Sequence, residues 1–164
     1  MQYLINSLAN FLKQIEELFD SDKVILSIKK SVQLNSYSCG IHCAFVILRH
    51  YNKLNSINDI NYDKILLKND GIDTEPLLNI IRYFGCKISV NKNALISDIV
   101  IAINNNKLIL LSVDDGAHWV VIYGYSLNSI YVLDPSLSSA IKCKWKLKTF
   151  INRWDENWIA SISL

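Results

Sequence analysis

Between residues 107 and 134 three apolar runs, KLILLSV, HWVVIYGY and SIYVLD, follow one another across connections only a few residues long. Their β-branched and aromatic content marks them as strands, and DDG, SLNS and DPS supply the turn chemistry that bounds them. Parallel neighbours need a crossover of a dozen residues or more, so strands this closely spaced pair antiparallel. A further strand, WIASISL, closes the chain after a helix over about Leu147–Trp154.

The first half has a different period. Leu4, Leu8, Phe11, Leu12, Ile15, Leu18 and Phe19 share one face of a helix over residues 2–19. The extended stretch DKVILSIKKSV follows it, and then a helix from Cys39 to about Tyr51. A short helix is expected within Ser56–Lys68. Thr74 is placed as the N-cap of the next helix, with Glu75 and Pro76 in its first turn and Gly85 closing it. Ser97 is placed as the cap of another, which runs into Asn104–Asn106. Helices first and a mostly antiparallel sheet afterwards define an α+β domain.

The chain of 164 residues fits one domain, read as residues 31–164 behind an N-terminal helical extension, residues 1–30. At 51% hydrophobic, with only 5 Gly and 2 Pro, it can bury a core and is not a linker. A net charge of +2 without a basic stripe argues against a nucleic-acid partner. The N-terminus lacks a signal-peptide pattern and no run reaches transmembrane length. With four cysteines in a domain that needs no staples, a reducing cytoplasmic setting is the simplest expectation, and secretion as an effector is the alternative.

Three histidines narrow the search for chemistry: His42, His50 and His118. His118 opens an apolar strand and Asp134 ends the next one. Antiparallel pairing brings those two ends together, as a base and the carboxylate that orients it. Asp114 and Asp115 compete for that role, but their turn, DDG, accounts for them. Cys39 stands where a polar stretch becomes a helix, so its thiol meets the positive end of the helix dipole. Lowering a thiol from about 8.5 to about 4 corresponds to roughly 6 kcal/mol. The dipole contributes only about 0.3–1 kcal/mol, about 2 at best. The histidine must therefore supply most of the activation. Gly40 is read as leaving room beside the sulfur for a substrate. Gln33 offers an amide donor which, with the Cys39 N–H, forms an oxyanion hole worth about 10²–10³ in rate.

Gln33-x5-Cys39-Gly40, then Cys43, HWVVIYGY and VLDPS, resembles the bacteriocin-processing peptidase family, whose members cut leader peptides after a Gly-Gly pair. The stretch GIDTEPLLNIIRYFGCKISV is similar to the family's middle region. The resemblance spans about residues 31–164. It implies a papain-like fold, with Cys39, His118 and Asp134 as the triad and Gln33 with Cys39 at the oxyanion hole. It also implies a peptide or protein substrate and no metal or organic cofactor. Two features depart from the family pattern. Ser38 stands where an acidic residue is usual, and the N-terminal helix lies outside the family core.

The other readings are blander or keep the site with another reaction. Cys43 is read as core, Cys86 and Cys143 as strand or core positions. His42 and His50 are read as surface or groove-packing groups. Trp119 fits either a groove wall or the core. Cys39, His42 and Cys43 lack zinc-site spacing. A thioester at Cys39 would serve acyl transfer or deamidation by a protein-modifying effector as well as hydrolysis, and a non-catalytic leader-binding module is the third reading. The oligomeric state is left open, with the N-terminal helix as either a packing element or a partner surface.

Overall fold

The structure is a computed structural model and describes residues 23–61, 71–136 and 142–164. The helix expected over residues 2–19 lies outside the described residues. Among those described, seven strands and four helices follow one another in the order β1 (Val24–Ile25), α1 (Cys39–His50), α2 (Thr74–Tyr83), β2 (Lys87–Asn91), α3 (Ile96–Asn104), β3 (Leu108–Val113), β4 (His118–Ser126), β5 (Ser129–Leu133), β6 (Lys142–Lys146), α4 (Leu147–Arg153) and β7 (Ile159–Ser163). All pairings are antiparallel, in the spatial order β2-β7-β3-β4-β5-β6, with β1 added against β4. This is the α+β architecture expected from the sequence.

Strand alternation divides the core in two. Leu108 and Leu110 of β3, Val121 and Tyr123 of β4, and Ala160 and Ile162 of β7 pack with α1 and α2. Ile109 and Leu111, Val120 and Ile122, and Ile159 pack with α3 and α4. Strands covered on both faces have no solvent side to make polar, hence the uninterrupted apolar runs. Each fully buried Leu or Ile contributes about 1.5–3 kcal/mol. Helix α1 is the most enclosed helix, buried at every residue from Cys39 to Leu48. Beyond its C-terminus, Tyr51 donates its hydroxyl to the Ile162 carbonyl (2.6 Å) and accepts from the Leu108 N–H (3.1 Å), which fixes the helix against two central strands.

Several local expectations shift. Helix α2 starts at Thr74 itself, with Asp73 in the N-cap position. Helix α3 starts one residue ahead of Ser97, with Leu95 in the cap position, and the Asp98 carboxylate accepts the Leu95 N–H (2.8 Å). Asp98, in the first turn, reaches back to the N–H of the cap residue, and no side chain caps the helix in the place expected for Ser97. Of the helix expected within Ser56–Lys68, the described residues contain a single 3₁₀ turn, Ile57–Asp59, and residues 62–70 lie outside them.

Along one edge β4 changes partners, from β3 at His118–Ile122 to β1 at Gly124 and Tyr125, and on its other edge the pairing with β5 carries a bulge between Ile122 and Gly124. A Cβ on Gly124 would lie 2.6 Å from the Val24 carbonyl oxygen and 3.0 Å from the Ile25 Cα. Those are backbone atoms and cannot rotate away. Gly124→Ala is expected to cost about 1–3 kcal/mol, measured by denaturant unfolding, with hydrogen exchange at Leu26, whose N–H donates to Tyr123, rising in parallel.

Candidate active site

Cys39 is the first residue of α1, where the chain leaves an irregular stretch and the leading N–H groups have no intrahelical acceptor. Ser38 precedes it without a side-chain cap, and no acidic residue occupies the first turn, so the positive end of the helix is left to the sulfur. The His118 ring and the N–H groups of Trp119 and Gly40 are the neighbours that favour a charged Cys39 sulfur. One turn further on, the Cys43 thiol donates to the Trp119 carbonyl (3.3 Å). The Trp119 carbonyl therefore holds α1 against the first residues of β4 through Cys43.

His118 and Asp134 come together through the hairpin register. Leu133 pairs with Val121 and Val132 with Ile122. Continued one step, this register sets Asp134 opposite Val120, diagonal to His118 and on the same side. His118 Nε2 lies 2.7 Å from Asp134 Oδ1. That leaves Nδ1 as the ring atom for the sulfur. The same Asp134 oxygen accepts from the Ser136 hydroxyl (2.6 Å) and the Ser136 N–H (3.0 Å). Ser136 was not singled out from the sequence, although a serine two residues after an aspartate is a familiar turn device.

The turn that delivers His118 is clamped. Asp114, Asp115 and Gly116 all have positive φ, at 60°, 58° and 78°. Asp tolerates this region better than most side chains. Arg153 holds Asp114 through Nε (2.8 Å) and Nη2 (2.5 Å). Asp155 accepts the N–H groups of Asp115 (2.8 Å) and Gly116 (2.6 Å).

The electrostatics follow from these contacts. Burial pushes the Cys39 thiol up, but the His118 ring and the N–H groups of Trp119 and Gly40 outweigh it, and the thiol lies below its ordinary value. For His118, burial works downward while Asp134 and Cys39 work upward, and the balance is about 9. Burial raises Asp134 as well, yet hydrogen bonds from His118 and Ser136 hold it below the ordinary carboxylate value. The three shifts point the same way, toward charge on the sulfur, the ring and the carboxylate alike. Relative exposures of 16% for His118 and 4% for Asp134 keep solvent screening low. Cys43 is the opposite case. Wholly enclosed, it is raised well above the ordinary thiol value and stays protonated.

Gln33 is half-buried, and its N–H donates to the Pro135 carbonyl (2.9 Å), which ties it to the segment just after Asp134. Its Oε1 is buried with no hydrogen-bond partner. A groove of about 720 Å³ runs past the sulfur, with Cys39, Tyr37, Trp119, Trp154 and Trp158 in its wall. Of the four residues singled out from the sequence, Cys39 alone contributes to that wall. Asp73, Asp115, Asp155 and Glu156 also line it, and no Lys or Arg does. Trp119 is both groove wall and core, 7% exposed, with its Nε1–H donated to the Ile72 carbonyl (3.1 Å).

Two readings are corrected here. Gly40 does not open space for substrate: a Cβ there would lie 2.5 Å from Ile72 Cγ2 and 3.0 Å from Trp119 Cδ1, so its hydrogen lets α1 pack onto the protein. His42 is not a surface group but 4% exposed, with Nδ1 2.6 Å from Ser31 Oγ. His50, at the other end of α1, bonds to the Ser27 carbonyl (2.9 Å). Among the described residues no group of three or more His, Cys, Asp or Glu is arranged to hold a metal, and no helix is long and apolar enough to cross a membrane.

Comparison with known proteins agrees with this architecture. The Peptidase C39 family matches the chain over residues 27–162. A double glycine motif protease from an AMS/PCAT transporter, solved in complex with the leader peptide, is similar at 15% identity with a TM-score of 0.67, covering 84% of this chain and 92% of that one. The peptidase domain of Streptococcus ComA, a bifunctional ABC transporter involved in a quorum sensing pathway, is similar at 16% identity and a TM-score of 0.66, covering 82% and 97%. A C39-like peptidase from Bacillus anthracis gives 16% and 0.71, covering 87% and 98%. No curated protein sequence matches the chain.

Proposed function

Because the chain belongs to the peptidase C39 family of papain-like cysteine hydrolases, we propose that it cleaves a leader-type peptide after small residues, Gly-Gly foremost, with Cys39 as nucleophile. The observation that carries this reading is the contact chain Cys39–His118–Asp134 beside an open groove.

In the proposed reaction the thiolate attacks the scissile carbonyl and the oxygen becomes an oxyanion, held by the Cys39 N–H and the Gln33 amide. The His118 imidazolium gives its proton to the leaving amine, and the C–N bond breaks to leave a thioester. His118, now neutral, takes a proton from water as it attacks. The carboxylic acid product departs and the thiolate–imidazolium pair is restored. Asp134 keeps the ring oriented and compensates its charge throughout.

The leader specificity draws support from the wall beside the sulfur. Trp119 is fixed by its bond to Ile72 and by edge contact with Trp158 at 6.0 Å, so it cannot swing aside for a bulky side chain. A relative of the same fold was solved with a leader peptide.

The test is a pair of peptides identical except for Gly-Gly or Val-Val at one site, followed by mass spectrometry. Two fragments from the first, at least about 100-fold faster than from the second, are expected. Equal rates would reject the leader specificity. A product heavier by about one dalton, or a joined pair of molecules, would move the thioester chemistry to deamidation or acyl transfer.

A further inference from the structure

We infer that His42 is a positioning residue for the oxyanion side of the site, acting through Ser31 on the strip that carries Gln33. The inference rests on the role just proposed for Gln33.

His42 lies on α1, three residues after Cys39 and on the same side of the helix. Every neighbour from Cys39 to Leu48 is buried, mostly apolar, and an imidazole is an expensive occupant there unless its polar atoms are used. Burial holds its ring below the ordinary histidine value, so at neutral pH it is uncharged and has one donor and one acceptor nitrogen. Nδ1 is engaged by the Ser31 hydroxyl at 2.6 Å.

Ser31 begins a strip whose side chains alternate in exposure. Val32 and Leu34 are turned outward at 39% and 80%, while Ser31 and Gln33 are turned inward. With its apolar side chains facing solvent, the strip is not held by hydrophobic packing. It is fastened at Ser31 to the nucleophile's own helix, and at Gln33 to Pro135, next to Asp134. The first fastening sets the phase of the alternation, and therefore sends the Gln33 amide inward. Loosening it leaves the thiolate and imidazolium untouched but lets the oxyanion donor drift, and a misplacement of about 1 Å can cost about 10² in rate.

The experiment separates the two sides of the site. Alkylation of Cys39 by iodoacetamide needs the thiolate but forms no oxyanion, whereas peptide cleavage needs both. His42→Leu and Ser31→Ala are each expected to lower kcat on the Gly-Gly peptide by about 10–100-fold, with KM and the alkylation rate within about twofold. His42→Asn, which keeps a hydrogen-bonding atom near the Nδ1 position, is expected to recover most of kcat, and the double variant His42→Leu/Ser31→Ala to be no worse than either single one. Ser31 is less deeply buried than His42, so Ser31→Ala serves where His42→Leu does not fold. Unchanged kcat in Ser31→Ala, or alkylation falling in step with kcat, overturns the inference. Gln33→Ala measured alongside tells which claim has failed: no loss there rejects the oxyanion role of Gln33, whereas loss there with none in Ser31→Ala rejects only the part given to His42.

Discussion

Cys39→Ala is expected to remove turnover, by roughly 10⁶-fold if the three groups act as a unit, as in other nucleophile–base enzymes, and to leave the fold intact. Alanine keeps the Cβ and loses only the sulfur, at a helix start where alanine is well tolerated. The Cys39 side chain borders the groove, so water can take the place of the sulfur beside the His118 ring. Cleavage rate and far-ultraviolet circular dichroism on the same sample check both halves. Activity close to the parent in a folded variant would move the chemistry away from Cys39.

The second large effect belongs to His118. Among the influences that lower the Cys39 thiol, its ring comes first, and burial works against it. In His118→Ala the burial remains and the imidazolium is gone, so the thiol must move up. Iodoacetamide alkylation near pH 7 is expected to slow markedly and its pH midpoint to rise, while kcat falls by roughly 10⁴-fold or more for loss of both base and acid. An unchanged alkylation profile would mean that the helix end alone activates the thiol.

The sign of the parent's pH dependence follows from the same pair. Activity rises as the thiol ionises, below its ordinary value, and falls as the imidazolium loses its proton at about 9, giving a bell. The raised histidine also stabilises the fold. Its contribution is complete below the ordinary value of 6.5 and is lost as pH rises through about 9.

What could be read from the chain depended on burial. Strands β3, β4 and β5 stand out because both their faces are covered, leaving long apolar runs between turn residues. Strands β2 and β6 end the strand order, KISVN and KCKWK are mostly exposed, and the second of them is rich in lysine. Such edges resist unwanted pairing but leave little periodic signal. The closeness of His118 to Asp134 was legible because a hairpin converts sequence spacing into a cross-strand pair. Helix α1 was legible from its composition, and so was the place of Cys39 at its start. The roles of Gly40, Ser31, His42 and Ser136 were not, since each depends on which segment folds onto which. Gly40 shows the limit well: a glycine beside a nucleophile invites a substrate-access argument, but the atoms it makes room for belong to Ile72 and Trp119.

The seating of α1 against the start of β4, where Cys39 meets the His118 ring, has a consequence for biosynthesis. A ribosome delivers the helix first and the histidine some eighty residues later. Until that hairpin docks, the nascent thiol lacks the ring that lowers it and behaves as an unremarkable cysteine. Lowering of the thiol therefore waits on the hairpin, and a chain not yet grown that far carries at its helix start a cysteine of ordinary acidity.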